Sequence, residues 1–410
     1  MPQPLTFELH KRCNQNAART GTVTTPHGSF STPAFMPVGT RATVKGLTPS
    51  QIEATGSEII LNNAYHLMLR PGDERIAQLG GVHNFMRWDR PILTDSGGYQ
   101  AWSMADINTI NEEGVSFKSI IDGSTIEMTP ERSMEVQNNL GADIIMAFDD
   151  CPSSVAPQTQ NLARRRHAQV ARDGSMTPEQ HDNRLEQSLD RTTRWLDRCV
   201  TSHRRKDDQA LFGIIQGGTN LALRSRSAEQ ICNVDLPGYA IGGVAVGESP
   251  ELISQIVQHT AGLLPQEKPR YLMGVGYERD LVSAIAAGMD MFDCVLPTRN
   301  GRNGQAFTKI GQIHLKNASF AEDSGVIEDG CTCHACSGNY SRAYLRHLIM
   351  SKEMLGGILL SMHNIHHFQS LMVDIRASIR DNSWSALPDC WPVLMETRNN
   401  PIKESNFHAI

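Results

Sequence analysis

Three cysteines in the last quarter of the chain have the spacing of metal ligands. Cys331, Cys333 and Cys336 form a C-x-C-x-x-C pattern, and His363 follows 27 residues after Cys336. Three thiolates and one imidazole suit a tetrahedral Zn²⁺ ion, because soft sulfur ligands select zinc over magnesium or calcium. A closed set of four protein ligands leaves no position for water. We therefore predict one structural Zn²⁺ ion per chain.

The fourth ligand is less constrained by the sequence than the three thiolates. Four further histidines compete for the position: His334, His347, His366 and His367. We favour His363 because a distant ligand can pin a helix against the cysteine loop, whereas His334, adjacent to Cys333, is sterically poorly placed. Three incidental thiols are the alternative interpretation, which such close clustering disfavours.

A second group of polar residues stands where short apolar segments end. These positions are Asp95, Asp149, Gln216, Gly242–Gly243, Gly274 and Asp293. Three carboxylates and an amide facing one another would form a site for acid–base or nucleophilic chemistry. Each aspartate taken alone is more simply explained as a helix cap or a turn residue.

The apolar segments that precede these residues predict the fold. Eight of them recur along the chain: 32–39, 58–65, 91–98, 142–150, 211–218, 238–243, 270–276 and 289–297. Their continuous apolar character is typical of parallel strands buried on both faces, and helical patterns lie between most of them. This α/β alternation predicts a (β/α)8 TIM barrel, with a doubly wound sheet as the alternative. A barrel would place its active site at the carboxyl ends of the strands.

The regular alternation also predicts how the chain is divided. We assign residues 1–297 to the barrel, with an enlarged, arginine-rich loop or an inserted helical hairpin at 157–208. This segment includes the run Arg164–Arg166 and leads into a predicted helix around Trp195. Such a charge run usually forms a solvated face. Residues 298–380 leave the barrel pattern, and we assign them to a zinc-binding subdomain with closing helices. Residues 381–410 form a polar tail to which we assign no role.

Composition excludes several classes of protein. The 410 residues are 40% hydrophobic and 20% charged, which excludes a disordered chain. The net charge of −6 excludes a uniformly basic surface for bulk nucleic-acid or membrane binding. The nine cysteines and the absence of an apolar leader or an 18-residue apolar run predict a soluble, cytoplasmic protein with no membrane contact.

Several blocks of sequence resemble one known family. They are TDSGGYQ (94–100), MAFDDC (146–151), GIIQGG (213–218), GGVAVGE (242–248), YLMGVG (271–276), DMFDCVLPTRNGRNG (290–304) and CTCHAC (331–336). In this order they are similar to the tRNA-guanine transglycosylases, bacterial type, from about Gly21 to Arg380. The resemblance implies a TIM barrel with an inserted zinc-binding subdomain. It also implies exchange of the guanine at the first anticodon position of tRNAs with a G-U-N anticodon for a 7-deazaguanine.

The resemblance assigns roles to the residues at the strand ends. It makes Asp293 the nucleophile that forms a covalent enzyme–tRNA intermediate, and Asp95 the general acid/base. It places Asp149, Gln216 and the Gly243 N–H at the polar edge of the base, with Tyr99 and Met273 stacking on its two faces. Without the resemblance, Tyr99 and Met273 are simply core residues. Cys151 would line the base pocket, and Glu248 would lie near the pocket backbone.

The resemblance also predicts the macromolecular partners. Arg299 and Arg302 match positions that read the anticodon loop, and residues 299–321 contain four basic and no acidic residues. A local basic strip can bind phosphates within an acidic chain. The family acts as a dimer, so we expect a homodimer.

The identity of the incoming base rests on two pocket positions. Cys151 and Val246 match the bacterial pattern, in which 7-aminomethyl-7-deazaguanine is the base, whereas eukaryotic members use the larger queuine. We favour the aminomethyl base, since a bulky Val246 leaves less room for queuine.

Two rival classes of function remain open at this point. A retaining glycoside hydrolase with the pair Asp95 and Asp293 would leave the zinc ligands and Arg299 unexplained. A non-catalytic tRNA-binding subunit would not need to keep Asp95, Asp149 and Asp293 together.

Overall fold

Eight short parallel strands close into a barrel, as the sequence predicts. The structure is a computed structural model that describes residues 3–104, 108–154, 176–245 and 248–395. Its strands, in chain order, are β1 (Thr6–Arg12), β2 (Arg19–Thr25), β3 (Gly28–Thr32), β4 (Ala34–Gly39), β5 (Ile60–Asn62), β6 (Ile92–Thr94), β7 (Asn108–Ile110), β8 (Val115–Lys118), β9 (Thr125–Met128), β10 (Ile144–Met146), β11 (Ala210–Ile215), β12 (Gly238–Ile241), β13 (Arg270–Leu272), β14 (Met291–Cys294), β15 (Gln305–Thr308) and β16 (Gly311–His314).

The barrel consists of β4, β5, β6, β10, β11, β12, β13 and β14, and β14 pairs with β4 to close it. Each of the eight predicted segments overlaps one of these strands, so the TIM-barrel prediction is confirmed and the doubly wound sheet is excluded. Inward-facing side chains such as Met36, Leu93, Met146 and Phe212 fill the barrel interior. The antiparallel sheet β1–β2–β3 adds Val23 and Phe30 to this same core.

Helices follow most barrel strands and form the outer layer. The helices described are α1 (Pro49–Glu53), α2 (Ala64–Leu69), α3 (Asp73–Gln78), α4 (Gly81–Met86), α5 (Gly98–Met104), α6 (Pro130–Leu140), α7 (Pro178–Ser202), α8 (Leu221–Cys232), α9 (Pro250–Ala261), α10 (Glu278–Ala286), α11 (Leu296–Arg302), α12 (His334–Ser337), α13 (Arg342–Met350), α14 (Met354–Arg380) and α15 (Leu387–Cys390).

Local sequence explains where the outer helices begin and end. Thr129 caps α6 by accepting a hydrogen bond from the Arg132 N–H, Pro130 occupies the first turn, and Gly141 ends the helix with φ of 75°. These are the residue types that helix ends favour, because a threonine oxygen satisfies a free N–H and glycine tolerates positive φ.

Part of the enlarged loop predicted at 157–208 is a long helix, α7. Its N-terminus has a capping box formed by Thr177 and Gln180. Arg184 and Arg191 both pair with the buried Asp150, at 2.6 and 2.5 Å, and so hold α7 beside the end of β10. The arginine run at 164–166 lies outside the described residues.

The long helix α14 connects the cysteine cluster to the barrel wall. Its first half carries His363, and its second half packs on β4, where the Phe368 and Phe35 rings stack at 4.9 Å. Gln369 Nε2 also donates to the Phe35 carbonyl at 2.9 Å. The helix therefore contacts the cysteine cluster of the predicted subdomain at 298–380 with its first half and the barrel with its second half.

The beginning of the C-terminal tail, which the sequence left without a role, packs against α14. Trp391 is fully buried, and its indole N–H donates to Asp374 at 2.8 Å. The Lys309 ammonium lies 4.9 Å from the Trp391 ring centroid. Residues 384–395 thus complete the surface of α14, with a 3-10 turn at each end. In the described part of the chain, no helix combines the length and apolarity that crossing a membrane requires.

Candidate active site

The carboxyl ends of the barrel strands bring the predicted polar residues to one mouth. Asp95 follows β6, Asp149 follows β10 and Gln216 follows β11 directly. Gly243 and Gly274 stand just after β12 and β13, and Asp293 lies within β14. Seven residues share this mouth: Asp95, Asp149, Gln216, Gly243, Met273, Gly274 and Asp293.

Asp293 is held by two donors at the mouth. The Tyr271 hydroxyl donates to its Oδ1 at 2.5 Å, and the Gly274 N–H donates to the same oxygen at 2.9 Å. Burial raises the pKa of this carboxyl above its ordinary value, and the two hydrogen bonds oppose that increase. The donors therefore favour the ionised carboxylate that a nucleophile requires.

Asp95 is buried and has a different set of donors. The Ala64 N–H donates to Oδ1 at 2.9 Å, and the amides of Gln100, at 2.8 Å, and Asn63 donate to Oδ2. Burial raises the pKa of Asp95 to about 6 although these hydrogen bonds lower it, and the nearby charge of Asp293 adds to the increase. A carboxyl with a pKa near neutral can both give and take a proton, as a general acid/base must.

Asp149 and Gln216 form a buried polar pair. Gln216 Nε2 donates to Asp149 Oδ2 at 2.6 Å, and the Ser96 hydroxyl lies 3.4 Å from Oδ1. Burial raises the pKa of Asp149 to about 7. The chain that follows Asp95 passes close to this pair: a Cβ added at Gly98 would lie 3.1 Å from the Asp149 carbonyl oxygen. Carboxyl and amide groups are thus available side by side to hydrogen-bond a polar ligand edge.

Arg224 shapes the backbone around Gly243, and sequence reasoning missed it. This fully buried side chain donates to four carbonyl oxygens, those of Ile215, Gly218, Gly242 and Gly243, at 2.7 to 3.0 Å. Gly243 has φ of 61°, and a Cβ there would lie 2.2 Å from Gln216 Oε1. Glycine at this position avoids the strain of a positive φ and lets the Gln216 side chain approach the backbone.

The two predicted stacking residues occupy the rim and the wall of the mouth. Tyr99, in the first turn of α5, is 40% exposed, and Met273 follows β13 and contacts the interior core. Cys151 is buried near Asp149, and burial, with the charge of Asp149 adding to it, raises the pKa of its thiol. Glu248 is half-buried and interacts electrostatically with Arg224. Val246, on which the choice of base partly rests, lies outside the described residues.

A group of basic side chains lies where α11 meets the loop after β4. Arg302 and Arg299, on α11, are neighbours close enough for their charges to interact. Burial and the charges of Arg302 and Arg41 lower the pKa of Lys45. Arg41 and Lys45 thus extend the basic surface that the sequence placed at Arg299 and Arg302. Lys309, by contrast, is engaged by Asp374 at 3.7 Å and by Trp391.

The cysteine cluster has the geometry of a metal centre. The Sγ atoms of Cys331, Cys333 and Cys336 lie 3.8, 3.3 and 3.6 Å from His363 Nδ1. An S···N edge of a tetrahedral zinc site is about 3.5 Å, from bonds of about 2.3 and 2.0 Å. His363 Nε2 donates to the Phe307 carbonyl at 2.8 Å, which leaves Nδ1 with its lone pair free to bind a metal. The four predicted ligands can therefore hold a metal ion together.

Comparison with known proteins identifies the family. The family model described as queuine tRNA-ribosyltransferase matches residues 13–391. This chain belongs to the queuine tRNA-ribosyltransferase family. A queuine tRNA-ribosyltransferase of Nostoc sp. is 49% identical to it over 96% of this chain and 98% of that protein. The enzymes of that name from Staphylococcus aureus and Synechococcus elongatus are 48% and 50% identical, and the matches cover 92% and 91% of this chain and 93% and 91% of theirs.

Membership of the queuine tRNA-ribosyltransferase family confirms the resemblance found in the sequence. The prediction of a pentosyltransferase of the transglycosylase class is likewise confirmed at the level of the family, and the glycoside hydrolase alternative is excluded. Besides Arg224, sequence reasoning missed Tyr271, Asn63 and Gln100, which contact the two catalytic candidates. Tyr271 had a usable signal, since it precedes Met273 by two residues and, in an extended chain, both side chains point to the same side.

Proposed function

We propose that this enzyme replaces the guanine at the wobble position of tRNAs with a G-U-N anticodon by 7-aminomethyl-7-deazaguanine. The reaction would pass through a covalent enzyme–tRNA intermediate on Asp293. The observation that carries the proposal is the Asp293 carboxylate, stabilised by Tyr271 and Gly274, at the same mouth as the Asp149–Gln216 pair. A nucleophile and a polar recognition edge are the two parts that base exchange requires.

The first half of the reaction breaks the bond between C1′ of the ribose and N9 of guanine. Both donors of Asp293 bind Oδ1, so we assign Oδ2 to the attack on C1′. The glycosidic electron pair leaves with guanine, which takes up a proton from the protonated form of Asp95. Hydrogen bonds to Oδ1 keep Asp293 ionised until the sugar carbon develops positive charge.

The second half reverses these steps with the new base. Asp95, now a carboxylate, accepts the proton from N9 of the deazaguanine, and N9 attacks C1′ from the face that guanine left. The Asp293–C1′ bond breaks, and the carboxylate is restored. Two inversions give net retention at C1′. A pKa of about 6 suits Asp95 to both directions of proton transfer.

The Asp149–Gln216 pair would select the base by its polar edge. A carboxylate accepts from the amino group and ring N–H of an aminopyrimidinone, and the Gln216 amide and Gly243 N–H can donate to its carbonyl oxygen. Tyr99 and Met273 would stack on its faces, combining an aromatic ring and a polarisable thioether. The buried Cys151 supports the aminomethyl base over queuine, as the bacterial pattern implies. Queuine remains the second candidate because of the family name.

The basic group on α11 and the loop after β4 would bind the anticodon loop. Arg299 and Arg302 lie in the helix that directly follows Asp293, so a phosphate bound there holds the adjacent nucleotide at the mouth. Unpaired loop bases can be extruded and read on their edges. Arg41 and Lys45 would add phosphate contacts.

Zinc is the ion we propose for the cysteine cluster, because three thiolates and one imidazole are its preferred tetrahedral set. The ion would be structural, fixing α12 to α14. Asn364, next to His363, donates to the Pro297 and Gln305 carbonyls at 3.0 Å, so the same helix also supports the first turn of α11 and the start of β15.

A homodimer would be stabilised by apolar side chains near the zinc ligands. Tyr344, Met350 and Met354 are 41%, 53% and 83% exposed on α13 and α14. Their exposure supports a contact surface there, and light scattering of the purified protein tests it.

Exchange of radiolabelled guanine into a tRNA with a G-U-N anticodon tests the function. Wild type should incorporate label, and Asp293→Ala should not. Asp235→Ala, which removes an exposed carboxylate just before β12, at the end of the barrel opposite the mouth, is the control and should retain activity. Label incorporation by Asp293→Ala would contradict the mechanism. Parallel assays with the two deazaguanines decide the base, which is the aminomethyl compound if its kcat/KM is higher.

A further inference from the structure

A second group of metal-ligating side chains lies at the opposite end of the barrel from the catalytic mouth. Asp143 directly precedes β10, His27 lies in the turn between β2 and β3, and His83 lies in α4. His27 Nδ1 is 2.8 Å from Asp143 Oδ1, and His83 Nε2 is 3.0 Å from Oδ2. One ligand atom from each residue falls within 4.8 Å of the other two.

The carboxylate of this group is rigidly placed. The Asp143 side chain is fully buried, and it also accepts from the Ile92 N–H at 2.9 Å and the His27 N–H at 3.2 Å. His83 is buried as well, and its ring stacks on that of His27 with centroids 3.6 Å apart. Two of the three side chains are therefore fixed before any ion binds, which lowers the entropic cost of binding.

One of the two rings must turn before the group can admit an ion. In a tetrahedral site with bonds of about 2.0–2.1 Å, neighbouring ligand atoms are about 3.3 Å apart. The present nitrogen–oxygen distances of 2.8 and 3.0 Å are a few tenths of an ångström shorter, but they join the histidines to different oxygens of Asp143, and the rings are stacked within 13° of parallel. The His27 side chain is 41% exposed, so its ring can leave the stack and direct Nδ1 at an ion held by His83 Nε2 and Asp143.

An open cavity gives an ion access to the group. A space of about 290 Å³ is lined by both histidines and by polar side chains that include Asn84, Asn138 and Asp89. It has room for the water that would complete the coordination of three protein ligands. Arg205 also lines this space, but its guanidinium pairs with Asp208 and donates to the Asn138 carbonyl at 3.2 Å.

We propose that His27, His83 and Asp143 form a second, exchangeable divalent metal site that binds Zn²⁺ with a water as fourth ligand. Two imidazoles and one carboxylate favour Zn²⁺ over Mg²⁺ and Ca²⁺, and the absence of thiolate makes the site weaker than the cysteine cluster. An ion here joins the β2–β3 turn to α4 and to the start of β10. Its effect is to stabilise this end of the barrel, independently of base exchange.

Equilibrium zinc binding by the full-length protein, with the cysteine cluster already loaded, tests the proposal. Free zinc is buffered with a chromophoric chelator, and bound zinc is counted by mass spectrometry. Wild type should bind two ions per chain, with a rise in Tm as the second binds. His27→Gln should keep the first ion and bind the second at least tenfold more weakly, as should His83→Gln. His10→Gln, a half-exposed histidine outside the group, is the matched control and should bind both.

Cobalt distinguishes the two sites directly. Co²⁺ at the cysteine cluster gives an intense sulfur-to-metal charge-transfer band, whereas a second Co²⁺ on nitrogen and oxygen adds only weak visible bands. A single ion per chain at saturating zinc would overturn the proposal and leave the group as hydrogen bonds alone. A second ion unaffected by His27→Gln, or weakened equally by His10→Gln, would overturn it as well.

Discussion

Replacing Tyr271 by phenylalanine should move the acidic limb of the activity profile to higher pH. The Tyr271 hydroxyl donates to Asp293 Oδ1 at 2.5 Å, and its loss leaves the Gly274 N–H as the other donor to that oxygen. A hydrogen bond to a charged group contributes about 1.5–3 kcal/mol. Since one pKa unit corresponds to about 1.4 kcal/mol, the pKa of Asp293 should rise by about 1–2 units.

The direction follows from the protonation state that attack requires. Burial already raises the pKa of Asp293, and Tyr271→Phe removes a group that lowers it. Below the new pKa the carboxyl is protonated and cannot attack C1′, so kcat/KM falls about tenfold per pH unit on that limb. At higher pH, where Asp293 is ionised in both enzymes, kcat/KM of the variant should approach that of wild type. The difference that persists there is the transition-state stabilisation lost with the Tyr271 hydroxyl.

The assay is guanine exchange into tRNA, with kcat/KM measured from pH 5 to 9. Tyr239→Phe is the matched control, because this buried hydroxyl on β12 donates instead to the Val234 carbonyl at 2.7 Å. It should lose stability but keep the wild-type profile. A profile unchanged in Tyr271→Phe, or displaced equally in Tyr239→Phe, would refute the reasoning.

Three further variants test other parts of the site. Asp149→Asn should abolish base binding yet raise Tm at pH 8. In the folded wild type the buried Asp149 ionises only above pH about 7, whereas in the unfolded chain it ionises near pH 4, so at pH 8 the buried charge lowers the stability of wild type and the variant avoids this loss. The gain should shrink as pH falls from 7 to 4, and a lower Tm at pH 8 would contradict it. Arg302→Ala should raise KM for tRNA and reduce the salt slope of log affinity by about 1, with KM for the base unchanged as the check. His363→Ala should lower both the zinc content of the cysteine cluster and the Tm of the protein. If the variant retains zinc at that cluster, His363 is not a ligand.

The barrel could be predicted from the sequence because its strands carry the signal themselves. Segments such as 142–150 and 211–218 are continuously apolar, as strands buried on both faces must be. The polar residue that ends each one, Asp149 or Gln216, then follows at the mouth by the geometry of parallel strands. The cysteine spacing was similarly local, and only the fourth ligand needed a choice among several histidines.

Apart from Tyr271, the residues that support the site carried no local signal. Arg224 lies in an ordinary polar helix, and its carbonyl partners at Ile215, Gly218 and Gly242 come from other segments, so only the fold brings them together. Trp391 was likewise overlooked, since it lies in a short segment beyond the barrel pattern, and its contacts with α14 and Lys309 exist only in the folded chain. Tertiary contacts decide such roles, whereas periodicity reports only local burial.

Locating the covalent bond tests the central claim most directly. Wild-type enzyme is incubated with a G-U-N tRNA without deazaguanine, denatured, digested with nuclease and protease, and mapped by mass spectrometry. The mechanism predicts a ribose adduct on the peptide that contains Asp293, and no adduct in Asp293→Asn. An adduct on Asp95, or an unmodified Asp293 peptide in an enzyme that exchanges guanine, would contradict it.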